Sequence, residues 1–137
     1  MKKLIVAAMM IVFFTGSAAG NDEKGTLFSE FSEFVQSFQF KDWASLEHFI
    51  TEQSKFGFGG EMGKSGFDEV FIKNKECYDQ LLLAMLQGCK MVKSEKTATC
   101  VAPPQVLDND VLYLGARAEF SLVGNKMRVI HAICGGD

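Results

Sequence analysis

The stretch that organises this chain is FDEVFIKNKECYDQLLLAMLQGCKMV, residues 67 to 92. Its apolar side chains recur every three or four positions, which is the spacing of one face of an α-helix. Leu81 to Leu86 is apolar almost all round, so we expect this half to be covered on several sides. Asn74 could instead cap a second helix and divide the element in two. The pattern therefore predicts one long helix, with a break at Asn74 as the alternative.

Residues 1–20 have the composition of a secretory signal peptide. Lys2 and Lys3 come first, an apolar run from Leu4 to Phe14 follows, and small residues end the segment. The run is shorter than the ~20 residues that a membrane-spanning helix needs. The sequence therefore predicts an exported protein, periplasmic or secreted, in which residues 21–137 form a single domain without a membrane anchor.

The charge of the remaining chain narrows the classes of partner. Without Lys2 and Lys3 it has twelve basic and seventeen acidic side chains, a net charge near −5. Nucleic acid and anionic membranes bind cationic surfaces, so the balance disfavours both. A cationic protein is the partner that this charge favours. The sequence contains no feature that predicts an oligomeric state.

The order of elements predicts helices first and a sheet last. Residues 26–40 have a helical stripe of Phe28, Phe31, Phe34, Val35 and Phe38, and Trp43 to about Glu52 continues as a second helix. A glycine-rich loop follows, with a short strand possible at its start. Strands are predicted over residues 97–102, 111–123 and 126–134, the last two joined by a hairpin turn at Gly124 and Asn125. The alternation in the second strand predicts a buried face of Leu112, Leu114, Ala116, Ala118, Phe120 and Leu122.

The hairpin register decides which way His131 points. An uninterrupted two-residue turn places Ala118 opposite His131, so His131 faces the core and Cys134 faces away from it. A one-residue bulge at the turn is the alternative, and it would send Arg128, Ile130, Ala132 and Cys134 inward. We prefer the uninterrupted register because its inward residues, Met127, Val129 and Ile133, are more apolar.

Four cysteines in an exported chain predict two disulfides. In one continuous helix, Cys77 and Cys89 would be about 18 Å apart along the axis, far beyond bonding reach. Two pairings remain: Cys77–Cys134 with Cys89–Cys100, or Cys77–Cys100 with Cys89–Cys134. The short connection after Met91 brings Cys89 near Cys100, which favours the first, nested pairing.

The polar cluster His131, Tyr113, Arg117 and Glu119 is the candidate binding site. In the preferred register His131 points away from the other three, and a general acid and base must share a cavity. The sequence therefore predicts no catalytic residue. It also predicts no cofactor and no metal site, since no two cysteines are close enough in sequence for a zinc motif.

These patterns predict an α+β fold in which N-terminal helices pack on a C-terminal antiparallel sheet, in two layers, cone-like and stabilised by disulfides. The element order is similar to that of cone-shaped pocket folds such as the nuclear-transport-factor-2-like group, and equally to that of other small two-layer domains. The resemblance concerns fold alone. The expected function is that of a small non-enzymatic binding or inhibitory protein. The alternative is a small-molecule-binding or hydrolytic enzyme with a pocket at His131 between helices and sheet, lined by Phe and Met side chains.

Overall fold

The computed structural model describes residues 19–93, 96–108 and 112–135, and it has an α+β fold. The predicted signal peptide lies outside these residues except for its last two positions, which begin the first helix. In the described part of the chain, no helix is both long and apolar enough to cross a membrane.

Within the described residues, four α-helices and three short turns of other helix types form the helical part. The α-helices are α1 (Ala19–Gln39), α2 (Trp43–Leu46), α3 (Gly63–Phe67) and α4 (Lys75–Leu86). Glu47–Phe49 and Pro104–Leu107 are 3₁₀ turns, and Asp68–Ile72 is a π-helical turn. Helix α1 starts several residues before the predicted Thr26. Asp42 caps α2, because its side chain accepts a hydrogen bond from the backbone N–H of Ser45.

The sheet has six strands in the order β2-β1-β6-β5-β4-β3. Their bounds are β1 (Lys55–Phe56), β2 (Glu61–Met62), β3 (Lys90–Met91), β4 (Thr99–Ala102), β5 (Arg117–Val123) and β6 (Lys126–Ile133). The prediction of a purely antiparallel sheet is wrong, since β1 runs parallel to β6. Parallel neighbours need a long crossover connection. Here the whole chain from α3 to β5 lies between the two strands, so sequence alternation within either strand could not reveal the pairing.

The prediction of a single helix over residues 67–92 is wrong, and the alternative break at Asn74 is confirmed: a helical segment ends at Ile72, α4 follows from Lys75, and Lys90–Met91 form strand β3. Asn74 has an extended backbone, and its side-chain oxygen accepts a hydrogen bond from the N–H of Cys77 at 3.2 Å. This bond satisfies one of the free N–H groups at the start of α4. Because of this break, α4 is a separate helix, and it packs against α1 and the sheet.

The space between the helices and the sheet is filled by aromatic rings. Phe34 and Phe38 of α1 are fully buried, and Phe34 packs edge-to-face on Phe120 of β5 with ring centroids 5.2 Å apart. Phe56 and Phe67 continue the cluster with centroids 5.5 Å apart. Each buried ring contributes roughly 1.5–3 kcal/mol through the apolar surface it removes from water. The predicted core face of α1 therefore meets the sheet directly.

Tyr78 connects α4 to the carboxyl end of α1. Its hydroxyl donates to the carbonyl of Phe38, and its ring stacks on the Phe38 ring with centroids 4.5 Å apart. Burial raises the pKa of Tyr78. The phenol therefore stays protonated and continues to donate to this carbonyl, which also accepts a hydrogen bond from the backbone N–H of Lys41 at 3.2 Å.

The cysteines form the nested pairing. Cys77 is bonded to Cys134 with Cα atoms 5.1 Å apart, and Cys89 to Cys100 with Cα atoms 5.5 Å apart. One bridge joins the first turn of α4 to the end of β6. The other joins the segment after α4 to β4. The sheet is thus covalently linked near both ends of this helix.

The predicted hairpin register holds for half of the hairpin and is wrong for the rest. Phe120 lies opposite Val129 as predicted, but His131 lies opposite Glu119 instead of Ala118. Ile130 is the extra residue, a β-bulge in the middle of β6 and not at the turn. Because a bulge reverses side-chain alternation, Ala132 and Cys134 turn inward and His131 turns outward. With the bulge, Met127 and Val129 before it and Cys134 after it all face the core.

Candidate functional site

The outer face of the sheet brings together three of the four predicted site residues. Arg117, Glu119 and His131 line a cleft of about 100 Å³ together with Val101, Val106 and Ala118, which we call the His131 cleft. The prediction that His131 faces the core is wrong, since the bulge places it beside Glu119. The expected lining of Phe and Met side chains is also wrong, because those residues fill the opposite face of the sheet.

Tyr113 contributes to this cleft only through Arg117. The Arg117 guanidinium donates from Nη1 to the carbonyl of Gly115 at 3.0 Å and reaches that of Tyr113 at 3.5 Å. The Tyr113 hydroxyl in turn donates to the carbonyl of Ala116 at 3.3 Å. These bonds hold the segment before β5, and both are made by Nη1 of the Arg117 guanidinium. The arginine therefore has a structural partner already.

The chemistry available to the His131 cleft is limited by its size. His131 Nε2 lies 3.4 Å from the carbonyl of Gly57, and the Glu119 side chain is half-buried beside it. Pockets for organic ligands usually have volumes of about 300 Å³ or more. A cleft of about 100 Å³ accommodates a few water molecules or a small ion. Among the described residues, no group of three or more His, Cys, Asp or Glu side chains is placed to hold a metal ion.

A second feature lies on α4, where sequence patterns predicted a covered surface. Leu83 is 65% exposed and Leu86 is 54% exposed, so the prediction that this half of the helix is covered on several sides is wrong for both. Leu114, assigned by its alternation to a buried strand face, is 56% exposed because β5 begins only at Arg117. We call Leu83, Leu86 and Leu114, with the two grooves beside them, the leucine surface.

The two grooves lie on either side of the leucines of α4. The first, about 440 Å³, separates α4 from the segment before β5, and Leu83, Tyr113 and Leu114 line it. The second, about 320 Å³, separates α4 from α1, and Leu86 and Val35 contribute to its wall. Leu83 and Leu86 are three positions apart and therefore neighbours on the helix surface. Leu83 and Leu86 therefore lie between the two grooves.

Glutamine amides line both grooves of the leucine surface. Gln80 and Gln87 line the first groove, and Gln36 and Gln39 line the second. Gln105 donates to the side-chain oxygen of Gln87 at 2.7 Å. These are five of the chain's six glutamines. Of the described residues that line the two grooves, none carries a charge.

Sequence patterns did contain a signal for this surface. Leu81 to Leu86 has apolar side chains on every side of the helix, and the flanking polar residues Gln80 and Gln87 are amides and not charged groups. In a charged chain, such a run marks either a fully enclosed helix or an interface. Only the packing of α4, which buries Leu81 and Met85 and leaves Leu83 and Leu86 exposed, distinguishes the two.

Comparison of this chain with known proteins identified no relative. No protein-family model matches the chain, and neither a curated protein nor a solved structure is significantly similar to it.

Proposed function

We propose that this protein is an exported, non-enzymatic binding protein that acts through its leucine surface. The signal-peptide pattern of residues 1–20 and the two disulfides support export to an oxidising compartment. The aromatic filling of the space between helices and sheet supports a role other than turnover of a substrate bound there.

The exposure of Leu83, Leu86 and Leu114 is the observation that carries this proposal. A contiguous exposed apolar surface with a polar rim is typical of a protein interface. The centres of such interfaces are also poor in charged residues. Both properties hold for the leucine surface, whose grooves are lined by leucine, aromatic and amide side chains.

These properties also define the chemistry of the partner. A protein that fits the leucine surface has apolar side chains at the centre of its contact and uncharged polar groups around them. The acidic side chains outside this surface, in a chain of net charge near −5 after removal of residues 1–20, attract a cationic protein over longer distances. They accelerate the encounter, whereas the leucines determine how long the complex lasts.

A photo-crosslinking residue tests the proposal. It is placed at position 83 and, as a control, at position 123, since Val123 is also exposed (56%) but lies at the hairpin turn. The full chain is expressed with its own residues 1–20 in a bacterial envelope. We expect one discrete adduct from position 83, identifiable by mass spectrometry, that disappears when Leu86→Asp is added. Identical adducts from positions 83 and 123, or none from position 83, would contradict the proposal.

A hydrolytic enzyme is the alternative function, and the bulge is the observation that favours it. His131 and Glu119 lie side by side in one cleft, as a general base and its orienting carboxylate would. The volume of about 100 Å³ argues against an organic substrate. Hydrolysis of a small activated ester that His131→Gln abolishes, with the melting temperature unchanged, would support this alternative over the binding function.

A further inference from the structure

We propose that a groove beside the first half of β6 binds a small zwitterion, a molecule that carries both an ammonium and a carboxylate group, such as an amino acid or a short peptide. This groove, which we call the edge groove, lies between α1, the segment around the Glu47–Phe49 turn and β6, and its volume is about 350 Å³. That volume is within the usual range for sites of small organic ligands. The edge groove shares no lining residue with the leucine surface, so this inference does not depend on the proposed function.

The sheet topology leaves the edge groove open. Strand β1 pairs with β6 only at His131 and Ala132, so the first half of β6 has no neighbouring strand on that side. Glu30 of α1 instead accepts a hydrogen bond from the backbone N–H of Met127 at 2.6 Å. On the other side, the Arg128 guanidinium donates to the carbonyl of His48. These two bonds hold α1 and the Glu47–Phe49 turn against β6, so the walls of the groove have fixed positions.

The two main walls of the edge groove carry opposite charge. Glu30 and Glu33 are three positions apart on α1 and therefore lie on one face of that helix. Lys126 and Arg128 are two positions apart on β6 and therefore lie on one face of that strand. The ion pairs of the described residues lie elsewhere, and none joins a carboxylate of this groove to either of its cations. Two carboxylates and two cations therefore line one groove without neutralising each other.

A ligand with both charges fits this arrangement better than a ligand with one. The α1 wall attracts an ammonium and the β6 wall attracts a carboxylate, whereas a singly charged ligand is repelled by one of the two walls. Hydrogen bonds between ionised groups are also stronger than those between neutral groups.

The half-buried members of the two walls have bonding capacity left for such a ligand. Charges at half-buried positions, such as Glu30 and Arg128, are screened less by salt than fully exposed ones. Glu30 accepts the Met127 N–H with Oε2, and Arg128 donates to His48 from Nη1. In the described part of the chain, Oε1 of Glu30 and Nη2 of Arg128 have no such partner. The first can accept from an ammonium, and the second can donate to a carboxylate.

An NMR chemical-shift titration of the mature chain with both disulfides formed tests the proposal, with alanine and dialanine as probes. We expect saturable shifts for at least one probe, largest at the backbone N–H groups of Met127 and Arg128, with a dissociation constant of about 1 mM or tighter. The probe that binds more tightly distinguishes an amino acid from a short peptide. N-acetylalanine lacks the ammonium and alaninamide lacks the carboxylate, so each should bind at least about fivefold more weakly than alanine.

Two variants test the walls separately. Glu33 and Lys126 are exposed and make no hydrogen bond within the described structure, so their replacement should leave the fold intact. Lys126→Gln should weaken binding of the zwitterion about two- to fivefold, and it should leave binding of alaninamide unchanged. Glu33→Gln should weaken the zwitterion equally and leave N-acetylalanine unchanged. Lys90→Gln and Glu23→Gln are the matched controls, since each removes an exposed charge of the same sign outside the groove.

Three results would overturn the proposal. The first is no saturable shift with either probe at concentrations far above the expected dissociation constant. The second is a set of shifts centred outside the edge groove. The third is equal binding of the zwitterion and its singly charged analogues, or an equal loss of binding in the control variants. Crosslinking at position 83 is independent of all three, so the proposed function of the leucine surface can fail or hold separately.

Discussion

His131 lies directly opposite Glu119 on the neighbouring strand, although Phe120, the next residue of β5, lies opposite Val129. The strand β6 therefore has one more residue than β5 between these two pairs, and Ile130 is that residue. The extra residue places His131 on the outer face of the sheet and Cys134 on the face that meets α4. It thus determines both the His131 cleft and the longer-range disulfide.

Deletion of Ile130 tests the bulge. Because Ile130 is the unpaired residue, its removal should give a regular hairpin in which Ala132 still lies opposite Ala118 and Cys134 still faces Cys77. Thiol titration of the unfolded, unreduced variant should find no free thiol, as in the wild type and in the length-preserving control Ile130→Val. Had the hairpin been regular already, the deletion would turn Cys134 outward, and two free thiols would appear.

The two disulfides should differ in their contributions to stability. Cys77 and Cys134 are 57 positions apart, whereas Cys89 and Cys100 are 11 apart. Restriction of the unfolded chain predicts a loss of about 4 kcal/mol for Cys77→Ser with Cys134→Ser, and of about 3 kcal/mol for Cys89→Ser with Cys100→Ser. Denaturant unfolding of the two double variants measures this difference. A larger loss for the shorter loop would show that effects in the folded state outweigh chain entropy.

Tyr78→Phe should remove a hydrogen bond to the carboxyl end of α1 and lower the free energy of unfolding by about 1 kcal/mol. Burial raises the pKa of Tyr78 in the folded state above its ordinary value of about 10. The folded state thus favours the protonated phenol. The contribution of this preference to the free energy of unfolding is complete below about pH 10, and it is lost as the pH rises through the pKa of Tyr78 in the folded state.

The matching measurement is denaturant unfolding from pH 8 to about pH 11, within the range where the phenol begins to ionise. The stability difference between wild type and Tyr78→Phe should shrink as the pH rises. Tyr113→Phe is the control, since it retains Tyr78 and should keep the wild-type slope. Raised lysine pKa values, such as that of Lys64 beside Glu47, affect all three proteins alike. A constant difference over this range would show that Tyr78 does not favour its protonated form.

Gly115→Ala should destabilise the segment that forms one wall of the leucine surface. A methyl group at this position would lie 2.5 Å from the hydroxyl oxygen of Tyr113 and 2.7 Å from the ring carbon that carries it. The ring must move, and the loss of its hydrogen bond to the carbonyl of Ala116 costs about 1 kcal/mol.

A double-mutant cycle with Tyr113→Ala isolates this contact. Without the ring, Gly115→Ala should cost less, because the added methyl no longer meets it. Equal costs in the two backgrounds, measured as free energies of unfolding, would mean that the glycine is needed for a reason other than the approach of Tyr113.

Much of the fold could be predicted because it depends on local patterns. The phenylalanine stripe of α1, the turn at Gly124 and the capping side chain of Asn74 each act within a few residues of where they lie in sequence. The candidate site was less predictable. Arg117 and Glu119 share a face by strand alternation, but the position of His131 beside them depends on a bulge that no residue of β6 signals by itself.

The sequence by itself determined the buried face of α1, the turn of the hairpin and the distance over which the cysteines could pair, because helix period, turn chemistry and chain length are local properties. Only the tertiary structure decided that β1 joins β6 in parallel, that Ile130 bulges and that Leu83 and Leu86 remain exposed. Each of these depends on which distant element covers a face. Cys134 turns inward because α4 presents Cys77 there, and the leucines of α4 are exposed because α1 and β5 pack against its other side.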